Sequence, residues 1–429
     1  MPIPLASSTL NLVLVAVGGL VLGLGIVSDW LKRHGISDRL VALAVGVALG
    51  PIGVGVLDPR HWGDQFLIIE EVARLTLGIG LMGVALRIPW GFMRREWRSV
   101  LTVVIGAMIG MWVLSSLLAA LTLGLALWPA LLLGAVVTPT DPVAASSVVT
   151  GAVAEENLPH RLRHLLSAES GFNDGLAYLF VILPILFLEG ATRPAGHWLG
   201  ETLLWEVGGA VLLGGLLGYL GGHAVRWAEE RDVMEQTSYL AFSIALALGT
   251  LGAVKLLGSD GLLAVFVAGV LFDAVVSVEE RTEEKRVVEA LDRFFALPIF
   301  ALLGLALPWQ DWLALGWPGL AFAGGLLLLR RLPVILTLAP AVKLLPHRRD
   351  ALFLGWFGPI GVAALFYIAL SLRRVGFDEA WAAGTLAITA SVVVHGLTAT
   401  PFTKWYGREN TNAPATDAPR PHTGFDSTG

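Results

Sequence analysis

Stretches of about 20 mostly apolar residues follow one another along almost the whole of this 429-residue chain, and a helix of that length crosses the roughly 30 Å hydrocarbon core of a bilayer. Charged residues make up 15% of the sequence, against about 25% in an average soluble domain. A water-soluble globule is therefore excluded, and we predict an all-α polytopic membrane protein. The 13 predicted spans are residues 9–30, 38–57, 67–88, 99–126, 128–150, 160–188, 202–227, 237–257, 261–277, 293–309, 315–340, 350–372 and 379–402.

The distribution of Lys and Arg predicts the orientation of these spans, because cytoplasmic loops carry an excess of positive residues. Counted together with the span ends that adjoin them, the odd-numbered connections and the C-terminal segment carry 21 of these residues, and the even-numbered connections carry six. We therefore expect a multi-pass protein of the cell membrane (plasma or inner membrane), with its N-terminus outside and its C-terminus in the cytoplasm. Residues 1–407 form the predicted transmembrane domain, and residues 408–429 are predicted to be a disordered cytoplasmic tail.

Two features of the composition exclude further classes of function. The sequence contains no cysteine, which removes disulfide frameworks, thiolate metal sites and cysteine nucleophiles. A net charge of −5 gives no indication of a nucleic-acid partner. We expect the lipid bilayer as a partner, and no cofactor.

Two of the predicted spans carry residues that break a helix. A proline inside a helix removes a hydrogen bond and clashes with the preceding turn, and Gly and Pro in matching spans of two inverted halves indicate the midplane site of a secondary transporter. The two spans are seven apart, so we predict inverted repeats over about 9–188 and 237–402, joined by a linker helix at 202–227. The breaking residues are Pro139 and Pro142 in the fifth span and Gly358, Pro359 and Gly361 in the twelfth.

Ionisable residues at the middle of a membrane are rare and costly, so each is a functional candidate. Asp141, Asp174 and Arg331 lie near the middle of three different spans. Ser170 and Asp174 are four residues apart and share one helix face, with Asn173 beside them. Their oxygens suit a monovalent cation, and burial favours the protonated form of a carboxylate. Cation and proton would therefore compete for one site, which is the minimum requirement for antiport.

Glu169 and Arg331 are predicted to form a structural ion pair. A buried charge without a partner is costly, so pairing these two residues is the economical arrangement. An alternative is that span 11 begins later along the chain, in which case Arg330 and Arg331 both extend to the cytoplasmic interface.

The region from Thr138 to Leu188 resembles the monovalent cation/proton antiporters of the sodium/proton exchanger type. The resemblance rests on Thr-Asp-Pro at 140–142, Leu-Ser-Ala-Glu-Ser-Gly at 166–171 and Asn-Asp-Gly at 173–175. Gly-Pro-Ile-Gly-Val at 358–362 and Arg-Arg-Leu-Pro at 330–333 are similar to the branch that includes bacterial and fungal plasma-membrane sodium/proton antiporters.

The resemblance implies 13 spans with a dimerisation domain, and a six-helix core in which two broken helices cross beside the ion. It implies that Asp174 binds cation and proton, with Thr140 and Ser170 as Na⁺ ligands. It also implies that Asp141 balances the helix ends at the crossing, and that Asn173 completes the Asn-Asp pair. The protein would then be a homodimer that contributes to pH homeostasis.

Two positions depart from the family pattern. Many relatives have an arginine where this chain has Ile360, so the second crossing must be balanced in another way. An acidic residue that some relatives carry on the third span is replaced near Met82, which leaves that helix without an obvious ligand.

The function that these features favour is secondary active Na⁺(Li⁺)/H⁺ antiport at a single carboxylate. The alternative in the same class is K⁺/H⁺ exchange. Two further alternatives are a cation channel, which would need a continuous pore, and an intramembrane aspartyl hydrolase, which would need Asp141 and Asp174 to act as a dyad. Because Thr, Ser and Asn flank these carboxylates, ion binding is favoured over hydrolysis, and we expect a transporter rather than an enzyme.

Overall fold

The computed structural model describes residues 7–141, 149–233, 238–276 and 282–411. Every regular element in these ranges is a helix, which confirms the all-α class. The helices are α1 (Ser7–Arg33), α2 (Asp38–Leu49), α3 (Gln65–Ala85), α4 (Trp90–Leu123), α5 (Leu127–Val136), α6 (Ala152–Asn157), α7 (His160–Leu188), α8 (Pro194–Glu229), α9 (Ser238–Leu256), α10 (Gly261–Val276), α11 (Thr282–Leu305), α12 (Trp309–Leu329), α13 (Leu332–Leu338), α14 (Arg348–Trp356), α15 (Val362–Val375) and α16 (Asp378–Thr411).

Six helices of the described ranges are long and apolar enough to cross a membrane, and four shorter ones are apolar. The exact number of 13 spans therefore stays a prediction. Some predicted spans are only partly helical, as span 38–57 shows. There α2 ends at Leu49, because Gly50 takes up extended backbone before Pro51.

The fifth and twelfth spans are interrupted in their middles. Helix α5 ends at Val136, and the chain is irregular from there to Asp141. Pro142 lies outside the described residues. In the twelfth span, α14 ends at Trp356 and α15 begins at Val362, with irregular backbone between them. Irregular backbone at membrane depth is tolerated only where protein surrounds it, and residues 357–361 are all buried.

The eleventh predicted span is also divided, at Arg330 and Arg331. Helix α12 ends at Leu329 and α13 begins at Leu332. Pro333, within the first turn of α13, lacks the N–H that would continue α12. The break lets two consecutive arginines both turn inward, and their exposed fractions are 2% and 3%. The alternative in which both extend to the interface is therefore wrong.

The helices form two sets that pack against each other. Helices α4, α5, α7, α12, α14, α15 and α16 make one set of contacts, and α2, α3, α9, α10 and α11 make the other. Helix α3 joins the two sets by packing against α15 and α7. Helix α8 packs along α10, and small residues allow the close approach. Gly214 and Gly218 face the backbone of Ala264 and Ala268, so any side chain at either glycine would overlap α10. Helix α16 continues to Thr411, and the remainder of the predicted tail lies outside the described residues.

Candidate ion-binding site

The two interrupted spans meet through their irregular segments. The backbone N–H of Asp141 donates to the carbonyl of Pro359 at 2.9 Å. The Asp141 carboxylate accepts from the N–H of Val362 at 2.6 Å. Val362 is the first residue of α15, where unpaired N–H groups carry a partial positive charge. Asp141 therefore neutralises one helix end, and Gly361 is required beside it because a β-carbon would overlap the carboxylate.

Arg330 lies at the C-terminal ends of α5 and α14, whereas Asp141 lies at the N-terminal end of α15. One guanidinium nitrogen donates to the carbonyls of Val137, Thr138 (3.2 Å) and Pro139 (3.4 Å), and the other donates to the carbonyl of Gly358. These carbonyls follow the last turns of α5 and α14, where the helix dipoles place negative charge. Arg330 thus occupies the position where a positive charge balances both helix ends, and Ile360 remains buried and apolar.

Glu169 and Arg331 form a fully buried ion pair. The two guanidinium nitrogens lie 2.6 and 3.1 Å from the two carboxylate oxygens, and the Arg331 Nε donates to the carbonyl of Leu354 at 2.9 Å. The exposed fractions of the two side chains are 0% for Glu169 and 3% for Arg331. A bidentate geometry of this kind is the strong form of a charged hydrogen bond.

Asn173 connects this pair to the interruption in the fifth span. Its Nδ2 donates to Thr140 Oγ1 at 2.7 Å and to Glu169 Oε1 at 3.0 Å, and its Oδ1 accepts from the Thr140 N–H at 3.1 Å. The Thr140 hydroxyl also donates to Glu169 Oε2 at 3.2 Å and lies 3.1 Å from Ser170 Oγ. The Thr140 hydroxyl is therefore already in three hydrogen bonds, which holds Thr140 beside Ser170.

Asp174 differs from the other carboxylates at this level. Asp141, Glu169 and Asp174 are all fully buried. Within the part of the chain that the structure describes, neither carboxylate oxygen of Asp174 has a hydrogen-bond partner, whereas Glu169 and Asp141 accept hydrogen bonds. Asp141 and Glu169 are also close enough to repel a negative charge on Asp174. Its oxygens are thus free to bind a cation or a proton.

The position on α3 that departs from the family pattern carries an apolar side chain. The side chain at the departing position, Met82, is buried and lies against Gly269 of α10. Tyr367 on α15 donates its hydroxyl hydrogen to the Asp174 backbone carbonyl at 2.6 Å. This bond joins the sixth span to the second half of the twelfth.

Arg330 and Tyr367 are site residues that the sequence did not indicate. The sequence placed Arg330 only in the alternative in which span 11 begins later and both arginines extend to the cytoplasmic interface. The signal that could have found it is Pro333, which predicts a break before that position. Nothing local indicates Tyr367, because its partner lies on another helix.

Replacing Arg330 with glutamine should lower both thermal stability and transport. Each buried carbonyl left without a donor costs about 1–3 kcal/mol, and the helix ends also lose their balancing charge. Arg330→Lys should recover only part of the loss, because one ammonium cannot reach both helix ends as the planar guanidinium does. Thermal unfolding in detergent measures the effect, with Arg193→Gln in an exposed connection as the control. Equal melting temperatures for Arg330→Gln and this control would contradict the assignment.

The family model described as sodium/hydrogen exchanger, transmembrane, matches residues 12–405. The chain belongs to the sodium/hydrogen exchanger family. The description of this family, sodium/hydrogen exchanger, is that of a transporter and not of an enzyme. Na(+)/H(+) antiporter 2 of Zygosaccharomyces rouxii is 36% identical over 77% of the chain and 42% of its own length. The Na(+)/H(+) antiporter of Saccharomyces cerevisiae is 32% identical over 78% of the chain and 35% of its own length.

This exchanger-family chain thus spans less than half the length of the two fungal relatives. A bacterial relative, the K(+)/H(+) antiporter NhaP2 of Shewanella oneidensis, is 28% identical over 90% of the chain and 65% of its own length. Among solved structures, the sodium proton antiporter MjNhaP1 of Methanocaldococcus jannaschii superposes with a TM-score of 0.72 at 19% identity. That match covers 92% of this chain and 99% of the other, and it confirms the fold.

Proposed function

We propose that this protein is a secondary active Na⁺(Li⁺)/H⁺ antiporter that exchanges a monovalent cation for protons at Asp174. The observation that carries the proposal is the pair of buried, unpartnered oxygens on Asp174. In the same layer Glu169 is paired with Arg331, and Asp141 is bound to a helix end. One carboxylate is thus left for ions, and the fungal relatives are Na(+)/H(+) antiporters.

In this proposal Asp174 binds either a cation or a proton, and the protein alternates access to the two sides of the membrane. Ser170 lies on the same face of α7 and supplies a hydroxyl ligand. Thr140 is a further Na⁺ ligand, and its hydroxyl must exchange one of its three hydrogen bonds to coordinate the ion. Asn173 keeps Thr140 in place for this role.

The alternative is K⁺/H⁺ exchange, and one observation favours it. The Shewanella relative that matches most of the chain is a K(+)/H(+) antiporter. Carbonyl, hydroxyl and carboxylate oxygens can hold either ion, because the selection depends on cavity size and ligand number. The higher identity to the fungal Na(+)/H(+) antiporters supports Na⁺ as the substrate.

The deciding experiment uses the full chain in proteoliposomes with an imposed pH gradient and an internal pH dye. Addition of NaCl, LiCl or KCl should collapse the gradient for Na⁺ and Li⁺ only. Collapse by K⁺ alone would support the alternative. A gradient that persists with all three salts would contradict antiport.

The membrane, the orientation and the oligomeric state of the protein are further parts of the proposal. We propose a cell-membrane protein with its N-terminus outside and C-terminus in the cytoplasm, on the distribution of Lys and Arg. We also propose a homodimer. This proposal rests on the resemblance to the sodium/proton exchanger type, which implies a dimerisation domain.

A further prediction concerns pH. If cation and proton compete for Asp174, the apparent Na⁺ affinity should weaken as the pH falls, because protonation removes the charged ligand. The limiting rate at saturating Na⁺ should change less than the affinity over the same range. The measurement is the Na⁺ concentration for half-maximal flux at a series of pH values on one side. A Na⁺ affinity that does not change with pH would indicate separate sites.

A further inference from the structure

A second pair of carboxylates lies away from the crossing, near the start of α8. Glu206 belongs to the π-helical stretch Trp198–Val207 of that helix, and Asp260 immediately precedes α10. The Asp260 N–H donates to the Glu206 carbonyl at 2.9 Å, and the Ser259 hydroxyl donates to the same carbonyl at 2.6 Å. These bonds fix the two residues next to each other.

Both carboxylates keep one buried oxygen without a partner. Asp260 Oδ1 accepts from the N–H groups of Leu262 and Leu263 at 2.9 and 3.4 Å, and Glu206 Oε1 accepts from the Tyr178 hydroxyl at 3.2 Å. In the described ranges, Asp260 Oδ2 and Glu206 Oε2 have no hydrogen-bond partner, and Asp260 is only 8% exposed. Buried carboxylate oxygens are costly to leave unpaired, so a ligand at this place would relieve the cost.

The charged groups around this pair do not neutralise it. Lys255 and Glu206 lie within electrostatic range of Asp260, so the nearby acidic charges exceed the one lysine. Arg374 lies close by, but it is held by Glu189 at 2.7 and 2.9 Å. Burial raises the pKa of Asp260, in the connection before the α10 span, to about 7. A cation bound at this partly desolvated pair would supply the missing positive charge and would displace the proton that burial favours on Asp260.

Two tyrosines connect the pair to Asp174. Tyr178 lies one turn after Asp174 on α7 and binds Glu206 directly. The Tyr367 hydroxyl donates to the Asp174 carbonyl, and it lies within electrostatic range of both Asp174 and Asp260. The pair thus lies between Asp174 and the end of the molecule that carries the α7–α8, α9–α10 and α15–α16 connections.

We propose that Glu206 and Asp260 form a second binding site for a monovalent cation, which exchanges ions with Asp174 past Tyr178 and Tyr367. This inference rests on the proposed antiport function and deepens it. In the proposed orientation this end of the protein faces outside. Na⁺ that enters from the outer side therefore binds to Glu206 and Asp260 before it reaches Asp174.

The first test is binding, and it does not depend on transport. With Asp174→Asn in detergent, NaCl should still raise the melting temperature above an equal concentration of choline chloride, because ligand binding stabilises the folded state. The triple change Asp174→Asn, Glu206→Gln, Asp260→Asn should remove this rise. An Asp174→Asn protein without any Na⁺-dependent rise, or a triple variant that keeps it, would overturn the proposal.

The second test compares the two sides of the membrane. In oriented vesicles, Glu206→Gln or Asp260→Asn should raise the half-saturating Na⁺ concentration on the outer side about tenfold, which is a modest change in binding free energy. The value on the cytoplasmic side should stay unchanged. The control is Glu201→Gln, an exposed acid on the same helix.

A merely structural role would change both sides equally or lower the rate alone, and either result would overturn the second site. Failure of the wild-type protein to exchange Na⁺ would instead overturn the proposed function. The melting experiment would still decide whether the second site binds Na⁺.

Discussion

Replacing Asp174 with asparagine should abolish Na⁺-driven proton flux while the protein still folds and inserts. Asparagine keeps the volume of the side chain, but it cannot carry a charge or exchange a proton near neutral pH. The other two carboxylates of this layer are bound to Arg331 and to the N–H of Val362. No substitute is therefore in place, and we expect flux at the level of empty liposomes.

The same change should leave thermal stability equal or higher. Asp174 is fully buried, and its oxygens have no hydrogen-bond partner among the described residues. Removing an unpaired buried charge lowers the free energy of the folded state, because that charge no longer has to be kept away from water. Loss of flux together with an unchanged or raised melting temperature would separate a functional group from a structural one.

Two controls sharpen this experiment. Asp174→Glu keeps the carboxylate but moves it by one methylene, so we expect reduced flux with an altered Na⁺ affinity. Glu201→Gln removes an exposed negative charge from α8 and should leave flux unchanged. The assignment of Asp174 fails if the asparagine variant retains Na⁺-dependent proton movement.

Breaking the Glu169–Arg331 pair should produce the largest loss of stability. Removing one member of a buried ion pair costs roughly 3–5 kcal/mol, because the other charge is left uncompensated. Arg331→Gln also removes the donor to the Leu354 carbonyl, and Glu169→Gln weakens the bonds to Asn173 and Thr140. Each single change should therefore lower the melting temperature strongly.

The double change should recover part of this loss. With both charges removed, no buried charge is left without a partner, and two glutamines can still hydrogen-bond. The two single variants and the double variant form a double-mutant cycle, which measures the coupling of the pair. Coupling should be large and favourable in thermal or denaturant unfolding. Single effects that simply add would show that the two residues are not partners and would make Glu169 a candidate second titratable group.

Much of this architecture could be predicted from the sequence because the decisive quantities are local. The length of an apolar stretch depends only on neighbouring residues, so α7 was predicted at 160–188 and is found at His160–Leu188. The same holds for the interruption at Pro139, where the missing N–H acts on its own turn. Local patterns were weaker where a proline or glycine shortened a helix, as in the span predicted at 38–57.

The pairing of the buried charges could be predicted only in part from the sequence. The cost of an unpaired buried charge predicts a Glu169–Arg331 bond, and the structure contains it across 162 residues of sequence. The free-energy cost of an unpaired buried charge is the same for both adjacent arginines, so it does not decide which of them pairs with Glu169. That depends on the backbone direction after Leu329, which is set by the break before Pro333 and by packing against α14.

What the sequence by itself determined is the membrane class, the helical fold and the layer that contains Asp141, Glu169 and Asp174. Only the tertiary structure decided which carboxylate is left unpartnered, and that Arg330 holds the carboxyl ends of both broken helices. It alone brought Glu206, Asp260 and Tyr178 together from three parts of the chain. The physical reason is that apolar length and proline breaks act over one or two turns, whereas hydrogen-bond partners are set by how distant helices pack.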